Sequence, residues 1–461
     1  MPNVCAEGSL DVYYGSAGGA DQQLYYCLTD HHVADVPAGI RLAIFKSSGG
    51  SGDGVEPLVT NSPMPFMSFS VLQRRGCSAS TRIVPTGDLA AMTEHRGCDG
   101  GEEMRVPDAG ISDLEPELFG SDSSDLVERS LSQLVWGLPV SKNFRNALQA
   151  LQGLVPAEVA HDDERREAEA AMPVLSNTVI SSIFAGSINR WSQFFDRTGT
   201  AIVRSAYLPE DAPADPDISG ATPGAYRPNK STGDRIFVCR RIDASGTQVA
   251  YGAHYLRQAC TANATPFVSP NDGSDAVLGG DPAQLLDRPI PRGNVFAGRG
   301  TSDVRACLDM HDDHNRWAIG MFSTENKGDN VNREFRYVKL DGYAPSLINA
   351  HHGRWRHVSA ASMQWTRATA ESGGRKAALL EFLANHMGQP AVTRSLNDNF
   401  RHSWGDGGYL AIVDDQAPTG TSLVTEDLLS RYPVAGVSHA QGSVARNCLV
   451  PVLTGNTSID P

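Results

Sequence analysis

Short apolar runs separated by small-residue turns set the pattern from the start of the chain. Leu10 to Tyr14 predicts a strand that ends in Gly15-Ser16-Ala17-Gly18-Gly19, with a helix from Asp21. Arg41 to Lys46 predicts a second strand, ending in Ser47-Ser48-Gly49-Gly50. Residues 51–107 keep no clear period and read as an insertion stapled by Cys77 and Cys98. Asp108-Ala109-Gly110-Ile111-Ser112-Asp113 reads as a strand end entering a turn. Over 125–135, Leu126, Leu131, Leu134 and Val135 fall on one side of a predicted helix, followed by a strand over 135–140. Helical spacing returns over 143–154, 176–184, 247–259 and 375–387. Strands are predicted over 235–240, 317–322 and 335–340, and Pro- or Gly-dense loops over 207–233 and 269–301. Strands alternating with helices imply open α/β sheets, whose ligands sit beyond the carboxyl ends of strands.

Length and composition narrow the class. The 461 residues exceed one ordinary core and suit two or three domains. No apolar stretch approaches the roughly 18 residues of a membrane span, so a chain that does not span a membrane is expected. The start, Met-Pro-Asn-Val-Cys, shows no basic or apolar leader and reads as a chain already processed or trimmed. A net charge of −14 without a Lys/Arg cluster argues against a nucleic-acid partner. It does not exclude an anion ligand, because a buried anion site works through local N–H dipoles and one or two aimed cations. Eight scattered cysteines, none in a C-x-x-C pair, suit disulfides in an oxidising compartment. Cys5 with Cys27 and Cys77 with Cys98 are the local candidates for pairing.

The chemistry concentrates in Arg241-Ile242-Asp243-Ala244-Ser245-Gly246-Thr247. A strand delivers Arg241, and Ser245-Gly246-Thr247 opens a helix. Free N–H groups and the positive dipole end make such a helix start a seat for an anion. Gly246 admits an oxyanion close to the backbone, Ser245 and Thr247 add hydroxyls, and Arg241 adds a forked, permanent charge. Asp243 is expected to hold the Arg241 guanidinium. By itself the run reads more simply as a capped helix. Ser47-Ser48-Gly49-Gly50 could supply donors at another helix start, and Ser16 and Ala17 a weaker set. Asp113 would repel an anion unless the ligand carries a proton to donate. Hydrogen phosphate does and sulfate does not. His311-Asp312-Asp313-His314 reads as a solvated loop rather than a metal cluster, His351-His352 as exposed, and Trp317, Trp355, Trp365 and Trp404 as core. No metal, cofactor or catalytic elbow is expected.

In their order, Gly-Ser-Ala near the start, Ser-Ser-Gly-Gly, Ala-Gly-Ile-Ser-Asp and Arg-Ile-Asp-Ala-Ser-Gly-Thr resemble the phosphate-binding proteins of bacterial high-affinity phosphate transporters. The segment Val179 to Trp191 resembles that family's helix and Gly-turn signature, and Ala318-Ile319-Gly320 its strand returning to the first lobe. The resemblance implies a two-lobed periplasmic-binding-protein fold of type II, with a hinge between the lobes. Lobe one would be 1–135 with 325–461 and lobe two 136–324, with 51–107, 207–233 and 269–301 as long insertions. It implies phosphate contacts from Ser47, Asp113, Arg241, Ser245, Gly246 and Thr247. At the first loop the family has Thr and an aromatic residue where this chain has Ala17-Gly18, so Ser16 is the candidate replacement. The implied role is non-enzymatic binding of inorganic phosphate in a periplasmic or secreted setting, for uptake or scavenging, with a membrane ABC transporter as partner. A secreted or surface interaction protein on the same fold is the alternative, and a phosphate-ester hydrolase a further one.

Overall fold

A computed structural model describes residues 4–17, 20–30, 36–47, 49–73, 77–82, 92–98, 101–156, 159, 163–195, 199, 235–269, 294–314, 316–328, 333–412, 424–441 and 443–453. The sequence-predicted loop 207–233, most of 269–301, Gly18-Gly19 and Ser48 lie outside them. The chain is mixed α/β with several sheets. It divides into two compact units: residues 1–131, 361–389 and 443–445 form the first, and 132–360, 390–442 and 446–461 the second.

In the first unit, strands β1 (Asp11–Ala17), β2 (Ala20–Leu28) and β3 (Arg41–Ser47) run antiparallel in succession. A 3₁₀ turn (Ser51–Gly54) and helix α1 (Glu56–Thr60) follow. Next come β4 (Met64–Met67), β5 (Ser78–Arg82), β6 (Met92–Arg96), β7 (Glu102–Arg105) and β8 (Gly110–Ser112). The main sheet has the order β3-β2-β1-β6-β5, with β1 and β6 parallel.

Three expectations change here. No helix begins at Asp21, because Ala17 pairs with Ala20 and β2 runs antiparallel to β1 from there. Gly-Gly between two aromatic, β-prone runs is a hairpin signal. Gln22 and Leu24 are buried on one face of β2, at the spacing of two that a half-buried strand requires, and Cys27 is buried with its disulfide partner Cys5. Residues 51–107 are not a plain insertion either, since β5 and β6 complete the main sheet. The third change is β9 (Leu126–Val135), a strand where the apolar spacing predicts a helix. From Leu131 onward every residue of β9 is buried, and a strand buried on both faces loses the alternation that would identify it.

β9 continues into the second unit, whose sheet is built from β10 (Pro139–Ser141), β12 (Phe237–Arg241), β13 (Val295–Gly298), β14 (Ala318–Gly320) and β15 (Phe335–Tyr337) in the order β13-β12-β14-β10-β15. β13, β12 and β14 are parallel, and β10 is antiparallel to β14 and β15. Helices α2 (Lys142–Leu151), α3 (Asn177–Phe184), α4 (Gly246–Tyr251) and α5 (Thr301–Asp313) belong to this unit. A two-residue β11 (Val174–Leu175) pairs with β16 (Lys339–Leu340). The core packs Phe237, Phe296, Val304, Leu308, Ala318 and Phe335 around the disulfide Cys239–Cys307, which ties β12 to α5. Trp317, Trp355 and Trp404 are buried in this unit and Trp365 in the first, as expected.

β17 (Val358–Thr366) carries the chain back to the first unit, where its central residues pair with β8. The helix Arg375–Met387 sets Leu380 and Ala384 against Leu131, Met363 and Trp365, and Leu379, Phe382 and Leu383 against Val4, Val36, Ile40 and Leu42. The units therefore divide the chain differently from the expected lobes. Residues 325–360, 390–442 and 446–461 belong to the second unit, with β15 and β16 held to β10 and β11 by backbone hydrogen bonds.

Candidate functional site

β12 and β13 are adjacent and parallel, and they end in register at Arg241 and Gly298. Each hands the chain to a helix within a few residues, α4 from Gly246 and α5 from Thr301. Two helix N-termini thus start from one sheet edge, where parallel α/β sheets place their ligands. The turn after β12 is braced by Ile242 N–H donating to Gly298 O (3.0 Å) and Ser245 N–H donating to Ile242 O (3.0 Å).

Arg241 spans the two starts. Its Nη1 donates to Thr247 Oγ1 (3.4 Å) on α4 and to Thr301 Oγ1 (3.1 Å) on α5, and Nη2 donates to the Arg299 carbonyl. Arg241, Ser245, Gly246 and Thr247 are all buried. Ser245 has the extended backbone of an N-cap, but its side chain makes no capping hydrogen bond. The simple capped-helix account therefore does not describe this turn. Gln248, one residue further, accepts from Arg241 N–H through Oε1 (3.3 Å). Its Nε2 is buried with no partner among the described residues. At α5, Asp303 Oδ2 accepts from Gly300 N–H (2.8 Å), the one half of a capping box that a glycine N-cap allows.

One partner differs from expectation. Asp243 accepts from Arg240 Nη1 (2.7 Å), not from Arg241, and is 86% exposed. Arg240 and Arg241 are consecutive in a strand, so their side chains leave opposite faces. Thr301 and Gln248 were missed from the sequence. The available signal for α5 was the apolar run Val295-Phe296-Ala297 entering Gly298-Arg299-Gly300-Thr301, with Asp303 at capping-box spacing.

In the first unit the carboxylate of Asp113 meets a serine, but not Ser47. Ser51 Oγ donates to Asp113 Oδ2 (2.9 Å), and Asp113 N–H donates to Ser51 Oγ (3.2 Å). Ser47 is the last residue of β3, opposite Gln22. The approach of the Ser51 turn to β8 needs two glycines. A Cβ on Gly110 would lie 1.7 Å from Gly54 O, and one on Gly54 would lie 2.3 Å from Ile111 O. Gln364 Nε2 donates to Gly54 O (2.8 Å), and Ser362 Oγ lies 3.0 Å from Ser112 Oγ and donates to Leu114 O (2.9 Å). β17 thereby holds both ends of the Ser51–Asp113 pair. Ser16 and Ala17 close the β1–β2 hairpin opposite Asp21 and Ala20, so no helix start follows them.

His311 and Asp312 are not in a solvated loop. Both are buried in the last turns of α5, where Asp312 Oδ1 accepts from Asn143 N–H (2.6 Å) at the start of α2. Burial pushes the Asp312 carboxyl up and the His311 imidazole down. His311 lies with Cys239 and Cys307 in a grouping whose ligand-type atoms are within 4.8 Å of one another. The two sulfurs are joined in a disulfide, which leaves no thiolate for a metal. His351 is likewise buried, with Nδ1 2.8 Å from Val434 O.

All eight cysteines pair: Cys5–Cys27, Cys77–Cys98, Cys239–Cys307 and Cys260–Cys448. The first two are the expected local pairs. Among the described residues no helix is long and apolar enough to cross a membrane.

No protein-family model matches the chain. No curated protein matches it. Among solved structures it is similar to a putative phosphate ABC transporter substrate-binding protein with bound phosphate from Clostridium perfringens (14% identity over 63% of this chain and 78% of that one, TM-score 0.33). It is also similar to an ABC-type phosphate transport receptor from Vibrio cholerae (13%, 60% and 73%, TM-score 0.31). A third similarity is to PstS from Borrelia burgdorferi (12%, 63% and 78%, TM-score 0.30). TM-scores near 0.3 fall below the level at which whole folds correspond, so the ligand has to be argued from the residues themselves.

Proposed function

We propose that this chain binds a tetrahedral oxyanion, inorganic phosphate in particular, at the paired helix starts of its second unit, and that it performs no catalysis. The observation that carries the reading is Arg241, a buried guanidinium stretched between Thr247 and Thr301 at two helix N-termini. Helix starts and a forked cation favour the same ligand, a compact anion with several acceptor oxygens. In this reading Ser245, Gly246 and Thr247 supply backbone and hydroxyl donors. Gln248 Nε2 is a buried donor that an anion oxygen would satisfy.

Asp113 pairs with Ser51 inside the first unit and receives no role at this seat. Ser16 and Ala17 receive no role. Four disulfides support an extracytoplasmic setting, where binding would serve uptake or scavenging.

Thermal unfolding with and without phosphate tests the proposal. A site ligand stabilises by mass action, by about 2.7 kcal/mol at a hundredfold excess over Kd. The expected result is a midpoint that rises with phosphate in the native protein and stays flat in Arg241→Gln. An unchanged midpoint in millimolar phosphate would sink the reading.

A further inference from the structure

The helical run that begins at Ser245 does not stop at Tyr251. It continues without a break as a π-turn, Gly252–Leu256, that carries His254 and Tyr255 inward. The His254 ring stacks on His357, with centroids 4.4 Å apart and planes 17° from parallel. Tyr251 and Tyr255 pack edge-on against His357 at 4.3 and 4.9 Å. His357 is 1% exposed, and neither of its ring nitrogens has a partner among the described residues. The buried Tyr255 hydroxyl has none either.

Hydrogen bonding fixes the charge state of the outer ring. In the arrangement that Asn177 adopts on α3, Oδ1 accepts from Ser181 Oγ (3.2 Å) and Nδ2 faces His254 Nε2 at 3.3 Å. Nε2 must then be an unprotonated acceptor. A proton there would set N–H against N–H. The charged and titratable groups acting on the pair are Arg257 from the end of the π-turn, Arg356 beside His357, and His439. Asp341 acts on Tyr255 and accepts from the Asn177 backbone N–H (3.0 Å). Two arginines and a third histidine thus oppose a cation at His254.

We propose that the stacked His254–His357 pair is an acid-sensitive latch on the anion seat: charging it unseats the helical run Gly246–Leu256 and releases the bound oxyanion. The inference rests on the reading of that run as the seat. A second imidazolium cannot stack on a first inside an apolar box, and no acceptor stands against His357 among the described residues, so relief requires the π-turn to move. Burial holds the His254 imidazole down to about 3 and that of His357 well below its usual range. For a histidine kept neutral in the fold, the latch is whole above about pH 6.5 and weakens as pH falls toward the folded value.

Phosphate affinity of the native protein and of His357→Phe, at about pH 7.5 and about pH 5, tests the latch. Protonation of phosphate itself is common to both proteins, so their difference isolates the pair. The expected result is that native affinity drops by about tenfold more than that of His357→Phe, the effect of one pH unit of coupled protonation. Equal losses in the two proteins would overturn the latch. If the native protein binds no phosphate even at about pH 7.5, the oxyanion reading fails instead. The latch is then read alone, as acid-induced hydrogen exchange of amides 246–256 that is present in the native protein and suppressed in His357→Phe. Absence of that exchange in the native protein would overturn it. Should His357→Phe not fold, the ring titrations of the native protein decide: an ordinary histidine pKa for both rings in the intact fold overturns the proposal.

Discussion

Arg240 and Arg241 stand side by side in sequence, yet one reaches an exposed carboxylate and the other two helix starts. A list of residue types cannot separate them, and strand alternation can. The expected consequence is that Arg241→Gln lowers phosphate affinity by about 1.5–3 kcal/mol, the scale of hydrogen bonds to a charged group. Asp243→Asn, which loosens only an exposed pair, changes affinity by less than about 0.5 kcal/mol. Titration calorimetry on both variants checks the contrast, and comparable losses would return Asp243 to the site. The same reasoning applies to the serine-rich turn. Ser47 and Ser51 are equivalent on paper. Ser51 is selected only because Gly54 and Gly110 let its turn close on Asp113.

At the scale of elements, the legible parts were those whose burial is one-sided. The helices over 176–184 and 375–387 lie where their apolar spacing places them, whereas β12, buried throughout, is legible from the turn that ends it. β9 is hidden from the pattern because Leu131 to Val135 is buried throughout, and β2 because its pairing with β1 resumes at Ala20, directly before the predicted helix start. α5 was hidden behind a glycine-rich approach, although half of the proposed seat depends on where it starts. Two substitutions test how elements hold the site. Gly110→Ala forces a methyl group onto the Gly54 carbonyl, and overpacking of that kind costs about 1–3 kcal/mol. Denaturant unfolding measures it, and a neutral result would mean the two backbones separate freely. Replacing Cys239 and Cys307 together by alanine removes the tie between β12 and α5, which closes 68 residues of sequence separation. Loop-closure entropy gives about 4 kcal/mol for a tie of that length. A denaturant titration that shows no loss would place the stability of that core in packing alone.

For the molecule as a whole, acid should act before base. His254, His311 and His357 are all held neutral by burial, so each favours the fold fully above about pH 6.5 and withdraws that support below it. The thermal midpoint is expected to fall from about pH 6.5 downward and to change little between about pH 7 and pH 8. A midpoint that is level down to about pH 5 would show that these rings find acceptors on protonation. The acidic net charge of −14 gives no hint of this behaviour, because it takes every histidine as neutral whatever its surroundings.

The split of the first unit over distant stretches of chain has a consequence for biosynthesis. Val4, Val36, Ile40 and Leu42 are covered by Leu379, Phe382 and Leu383, which a ribosome reaches more than three hundred residues later. At about 5–20 residues per second the early side chains wait roughly 15–70 seconds for their cover. Throughout that interval the nascent chain carries an open apolar face. Partners that shield emerging chains should therefore engage it early, and release it only after the helix Arg375–Met387 has left the exit tunnel.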